Sequence, residues 1–146
     1  MPAILLDRAF NPWDEIQDFQ ARELQPGHFG ATASFVGSMR DFNINESISQ
    51  MTLEHYPAMT QNFLDKLCQQ CKQQFQLDEC LIIHRFGDIR PADPIVLTVA
   101  WSAHRAEAFD ACRFLMEELK ANAPFWKKEV TKEGERWVHN DQTPVD

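Results

Sequence analysis

Lys127 and Lys128 stand side by side in the stretch APFWKKEV (123–130), directly after two large aromatics, and Lys120 lies just upstream. The chain as a whole carries a formal net charge of −8. Positive charge gathered beside Pro-Phe-Trp in an acidic protein suggests a local site for anions or for proton transfer. Two lysines about 4 Å apart repel by roughly 4 kcal/mol at an effective dielectric near 20, and burial beside aromatics also disfavours the charged form. One member of such a pair is driven towards neutrality. A neutral lysine serves as a base or nucleophile, while its charged neighbour stabilises an anion. Side chains alternate along a strand, so Lys127 points with Phe125 and Glu129, and Lys128 with Trp126. Lys127 is therefore expected to join Lys120, on a face that also carries a carboxylate, and Lys128 to be solvated. An ordinary pair of surface lysines is the competing reading.

Two further groups of cations have chemical possibilities. His104 and Arg105 follow Ser102 at the start of a long helical pattern. The first N–H groups of a helix favour anions, and an arginine there is unfavourable with the dipole unless an anion joins it. Arg40 ends the strand-like FVGSMR and could grip a phosphate or carboxylate with both arms. Met116 lies one helical turn before Lys120, so the two share a face, as does Arg113 two turns away. His104 and Lys120 are about 24 Å apart along a helix. They cannot line one small pocket within one chain, but they meet if two copies pack antiparallel about a two-fold axis. A homodimer with a pocket shared between subunits is the expectation. His55 reads as a hydrogen-bonded ring at a strand-to-helix corner, and His84 as core.

The elements that must position these residues follow from the pattern. AILL reads as a strand. Asn11 caps a helix that Pro12 opens, and Gly27 and Gly30 flank the next turn. ATASFVGSM reads as a strand, RDFNINES as a polar loop, and ISQMTLEHY as a strand forming a long-connected hairpin with the previous one. Pro57 opens a long helix with the stripe Met59, Phe63, Leu67, Cys71 and Phe75. CLIIHRF is a strand, GDIRPADP a turn-rich connection, and IVLTVAW a buried strand. Ser102 offers an N-cap to a second long helix, with the stripe Phe109, Cys112, Met116, Leu119 and Ala123, and Pro124 stops it. FWKKEV, a TKEG turn and ERWVH form a C-terminal β-hairpin. Strand pairs separated by helices define an α+β fold with a mixed or antiparallel sheet.

The bulk properties narrow the function classes. A length of 146 residues suits one domain over 1–146, with a flexible tail at about 140–146. The acidic balance argues against broad nucleic-acid or anionic-membrane binding. The longest apolar run, PIVLTVAW, is well short of the roughly 20 residues of a membrane span. No signal peptide is legible at the start, so a cytoplasmic location is expected. Cys68 and Cys71 form a CxxC, yet they lie inside a helical pattern and lack the second ligand pair that zinc needs. Packed, reduced cysteines are expected, with no metal and no cofactor. No GxSxG, P-loop or HExxH motif occurs.

The segments GATASFVGSMRDFN, LEHYPAMT, IIHRFGDIRP, SAHRAEAFDAC and LKANAPFWKKE, followed by GERWV, resemble the large, catalytic subunit of molybdopterin synthase in order and spacing, over about residues 28 to 138. Ala92 departs from the resemblance, standing where that family commonly carries glycine, and Pro94 follows the acidic residue. The resemblance implies an α/β-hammerhead-like fold and a homodimer at the centre of a heterotetramer. It implies a small ubiquitin-like sulfur-carrier partner whose C-terminal Gly-Gly thiocarboxylate supplies sulfur to cyclic pyranopterin monophosphate, giving the dithiolene of molybdopterin in two rounds. The family's functional residues fall on Arg40, His104, Arg105, Lys120 and Lys127. Lys120 would assist sulfur transfer as acid–base or covalent group and Lys127 would stabilise an oxyanion or acyl link. Arg40, His104 and Arg105 would hold the phosphate and pterin, the latter two from the other subunit, and Met116, on the Lys120 face, is a further substrate-binding candidate. Two other readings stay open: a non-catalytic module that clamps a ubiquitin-like tail, and an unrelated lysine-dependent enzyme acting on a phosphorylated metabolite.

Overall fold

The Asn11 side chain accepts hydrogen bonds from the N–H groups of Trp13 and Asp14 at 3.0 and 3.3 Å, so the first helix begins where its cap and proline place it. The computed structural model describes residues 2–43 and 46–138; the tail at 140–146, expected to be flexible, lies outside the described residues. In chain order the elements are β1 (Ala3–Leu6), α1 (Pro12–Glu23), β2 (Ala31–Ser38), β3 (Phe42–Asn43), β4 (Glu46–Ser47), β5 (Gln50–His55), α2 (Pro57–Phe75), β6 (Glu79–Arg85), β7 (Gly87–Ile89), β8 (Pro94–Ser102), α3 (Arg105–Asn122), β9 (Phe125–Thr131) and β10 (Gly134–Val138). This is a mixed α+β domain.

One four-stranded sheet runs β1-β6-β8-β2, with β1 parallel to β6 and the other pairs antiparallel. Helices cover both of its faces. Leu64, Cys68, Cys71, Leu115 and Leu119 of α2 and α3 pack on Cys80, Ile82, Val96 and Ala100. On the other side Phe19 of α1 stacks on Trp101 at 5.2 Å, beside Leu81, Ile83, Leu97 and Val99. Burial on both faces is why β8 reads as an unbroken apolar run rather than an alternating one. A second, antiparallel sheet runs β10-β9-β5-β7. Met51, Leu53 and Ile89 of that sheet close a third cluster with Met39 and Ile48.

Several expectations are corrected. The strands at 31–38 and 50–55 do not form a hairpin: β2 pairs with β8, and β5 pairs with β7 and β9. A register slip between Gly37 and Ser38 ends the first pairing, and the intervening chain carries β5 into the second sheet. The stretch 40–47 is not all loop, because β3 and β4 pair as a short ribbon, and the connection after β6 contains β7. The buried face of α2 is Thr60, Leu64, Leu67, Cys68 and Cys71, leaving Met59 58% exposed. A strict four-residue spacing drifts about 40° per step around a helix of 3.6 residues per turn, so a long stripe of that kind cannot stay on one face. In α3 the buried residues are Ala108, Ala111, Cys112, Leu115 and Leu119, and Phe109 faces out.

All four cysteines are free and buried. Hydrogen bonding to the Cys80 thiol, and then burial, push the Cys68 and Cys71 thiols above their ordinary range, which leaves them poor nucleophiles. Among the described residues no helix is long and apolar enough to cross a membrane.

Candidate functional site

The candidate cations fall at two ends of the molecule, and topology decides which goes where. β2 and β8 are antiparallel, with Ala31 opposite Ser102 and Ser38 opposite Pro94. Arg40, just past β2, therefore lies at the entrance of β8, and His104, just past β8, at its exit. Nine residues of β8 separate the two by about 30 Å. The 18 residues of α3 then return over about 27 Å and bring Lys120, in the last turn, back to the Arg40 end.

Lys120 and Lys127 flank the junction between α3 and β9. Pro124 sits at the break, and the Phe125 N–H donates to the Ala123 carbonyl at 2.8 Å, which turns the chain sharply into the strand. Phe125 packs against the cluster under α3, together with Met116. Lys127 shares the Phe125 face of the sheet. Its neighbours across the strands are Leu53 and Val138, both buried, and both lysines are half-buried. Glu129 lies on the same face, nearly fully buried, and its Oε1 accepts from Arg136 Nε and Nη2, each at 3.2 Å. Lys128 takes the opposite face, as alternation requires. It is not simply solvated: its Nζ lies 3.6 Å from Glu135 and 5.5 Å from the Trp137 ring centre.

Phe125 is itself held by two histidines. The His84 ring stacks on it at 4.0 Å, and His55 tilts against it at 5.6 Å. His55 Nδ1 meets Thr60 Oγ1 at 3.1 Å at the strand-to-helix corner, as expected. His84 Nδ1 donates to the Arg85 carbonyl at 3.0 Å in its neutral form. Desolvation pushes both imidazoles below their ordinary range, His84 to about 4. Two neutral rings thus hold the start of the strand that carries Lys127.

The far end is built from backbone. Ser102 is the last residue of β8, not the cap of α3; His104 is the cap and makes no side-chain capping bond. The Ser102 hydroxyl instead donates to the His104 carbonyl, which fixes the corner. Gly30 donates its N–H to the Ser102 carbonyl at 2.9 Å. It comes so close that a Cβ there would collide with the Ala103 carbonyl oxygen. Sequence reading took Gly30 as a turn residue only. His104 and Arg105 are exposed beyond this corner.

At the near end Arg40 departs from a backbone bridge. The Met39 N–H donates to the Asp93 carbonyl at 2.9 Å, and the Ala92 N–H donates to the Met39 carbonyl at 2.8 Å. Ala92 has φ +74°, so alanine keeps a left-handed backbone that suits glycine better.

The class of protein this describes is an α+β domain in which Arg40 and the end of α3 with Lys120 lie towards one end of the central sheet, with Lys127 in the strand that follows, and His104 and Arg105 lie at the other end. The MoaE protein family model matches residues 10–122. The molybdopterin synthase catalytic subunit of Ralstonia nicotianae is 47% identical over 139 residues, covering 94% of this chain and 77% of that protein. The Pseudomonas aeruginosa protein of the same name is 46% identical over 130 residues, covering 89% and 85%. Among solved structures, the MoaE protein from Burkholderia ambifaria MC40-6 aligns with a TM-score of 0.79 and 37% identity, over 99% of this chain and 91% of that one. A protein–protein complex of subunits 1 and 2 of molybdopterin-converting factor from Helicobacter pylori 26695 aligns with a TM-score of 0.80 over 99% and 95%. At 21% identity it supports the fold alone. The chain belongs to the MoaE family. The family match includes Arg40, His104, Arg105, Met116 and Lys120, and stops short of Lys127.

Proposed function

We propose that this chain is the catalytic subunit of a molybdopterin synthase, a sulfurtransferase that converts cyclic pyranopterin monophosphate to molybdopterin. The observation that carries the reading is the identity of 47% over 94% of the chain to a relative of that name. A protein named as a subunit implies another, and the sulfur donor is a small ubiquitin-like partner with a C-terminal Gly-Gly thiocarboxylate. A cytoplasmic location belongs to the same proposal, and four unpaired buried cysteines support it.

The thiocarboxylate sulfur bonds to a carbon of the pterin side chain as that carbon's bond to oxygen breaks, the oxygen leaving as water or as the opened phosphate ester, and the partner is then joined through a thioester. Water then cleaves the acyl–sulfur bond, so that sulfur stays on the pterin and the partner leaves as a carboxylate. Each step passes charge through an oxyanion, which a fixed cation stabilises in a half-buried site. Lys127, between Leu53 and Val138, takes that role. Lys120 moves the proton or assists covalently, with Met116 packed one turn away. Arg40 holds the phosphate. His104 and Arg105 hold the phosphate and pterin of the neighbouring copy, because one chain keeps them a sheet's length from Lys120. The functional assembly is thus a homodimer at the core of a heterotetramer.

Mixing the protein with a thiocarboxylated small subunit and the cyclic precursor tests the reading. Dithiolene product is expected; tight binding of both with no product overturns it.

A further inference from the structure

Arg85 ends β6 and is buried, at 8% exposure. Its Nη1 donates to Asp93 Oδ2 at 3.0 Å and its Nη2 donates to the Asp88 carbonyl at 2.8 Å. The same Asp93 oxygen accepts from the Arg90 N–H at 3.2 Å, and the Asp93 N–H donates to the Arg90 carbonyl at 3.0 Å. One guanidinium therefore ties both ends of the turn that links β7 to β8. That turn makes the two-bond bridge to Met39, and Arg40 is the next residue.

A buried ion pair is an expensive way to stabilise a fold, and apolar residues of similar volume serve as well or better. Arg85 also leaves its Nε buried with no partner, a cost that stability alone would select against. Met39 needs holding, because the slip between Gly37 and Ser38 ends regular pairing just before it. We propose that Arg85 is a positioning residue for Arg40: it locks the 88–93 turn through Asp93 and the Asp88 carbonyl, and the turn locks the backbone from which Arg40 departs. The proposal rests on the reading of Arg40 as a phosphate-holding group.

A double-mutant cycle tests it on the assembled synthase, with a small subunit ending in a plain carboxylate so that no turnover occurs. The Kd for cyclic pyranopterin monophosphate is measured for wild type, Arg40→Ala, Arg85→Met and the double variant. Arg85→Met alone is expected to weaken binding about tenfold, and to add less than about twofold once Arg40 is absent. Should Arg85→Met not fold, Asp93→Asn replaces it in the same cycle, since Asp93 is the more exposed partner of the pair. If Arg40→Ala weakens binding but Arg85→Met leaves it unchanged, or if the two effects multiply in full, the proposal is overturned and the Arg40 reading stands. If Arg40→Ala leaves Kd unchanged, the Arg40 reading itself fails and takes the proposal with it.

Discussion

The two ends of α3 are built by different means. At its C-terminal end Lys120 and Lys127 are half-buried, set by packed side chains: Phe125 between two histidines, Leu53 and Val138 beside Lys127. At its N-terminal end His104 and Arg105 are exposed, set by a strand-to-helix corner held by Ser102 and Gly30. The first end has partial enclosure by packed side chains, the kind of setting in which a fixed cation stabilises developing charge more than it would in water. The second has reach without enclosure. Neither is complete alone, which is the physical reason for invoking a second copy.

The sharpest break in this comparison is at the enclosed end. Lys120→Ala is expected to cut turnover by about 10²–10⁴-fold, while the Kd for the small subunit moves far less. Steady-state assays beside titration of the partner check this.

The histidine pair gives the next largest effect. Folding holds His84 neutral, with its pKa at about 4 against an ordinary 6.5. Its contribution to stability is full above pH 6.5 and is lost as pH falls towards 4, because only the unfolded chain then takes up the proton. The loss is about 3 kcal/mol, less what solvent access recovers. His84→Asn keeps a donor near the Arg85 carbonyl and should flatten the stability curve between those values in denaturant titrations.

Gly30→Ala attacks the exposed end without touching a cation. It is expected to destabilise the protein by about 1–3 kcal/mol through overpacking, with a loss of activity at temperatures where the fold remains intact. Smallest is Ala92→Gly beneath Arg40. Relief of the left-handed alanine should stabilise by about 1 kcal/mol, seen as a rise in Tm.

The contrast also explains what was legible in the sequence. The enclosed end is local in sequence: Pro124 stops α3 and alternation separates Lys127 from Lys128, so the face of each lysine followed from spacing. The long helices and the buried β8 were legible for the same reason. The partners of Phe125 were not, because His55 and His84 come from other strands and only the register brings them together. Gly30 was missed for the same cause, since it meets a corner formed by Ser102 and Ala103, far along the chain; Arg85 holds a turn close by in the chain, through Asp88 and Asp93, and nothing in its spacing marked it. The false hairpin between β2 and β5 shows the limit of adjacency: two strands next to one another in sequence joined different sheets. The α2 stripe failed at Met59 because a four-residue repeat was followed for too many turns, and the α3 stripe at Phe109 because the buried face there begins at Ala108.

The central claim is that one pocket draws Lys120 from one copy and His104 with Arg105 from the other. Lys120→Ala chains co-expressed with His104→Ala/Arg105→Ala chains test it directly, since each variant alone should be inactive. Random assortment makes about half of the dimers mixed, and each mixed dimer holds one intact and one doubly damaged pocket. Recovery of about a quarter of wild-type activity is the predicted result. No recovery, in a preparation shown to contain mixed dimers, would place all of the cations in one subunit's pocket and contradict the account.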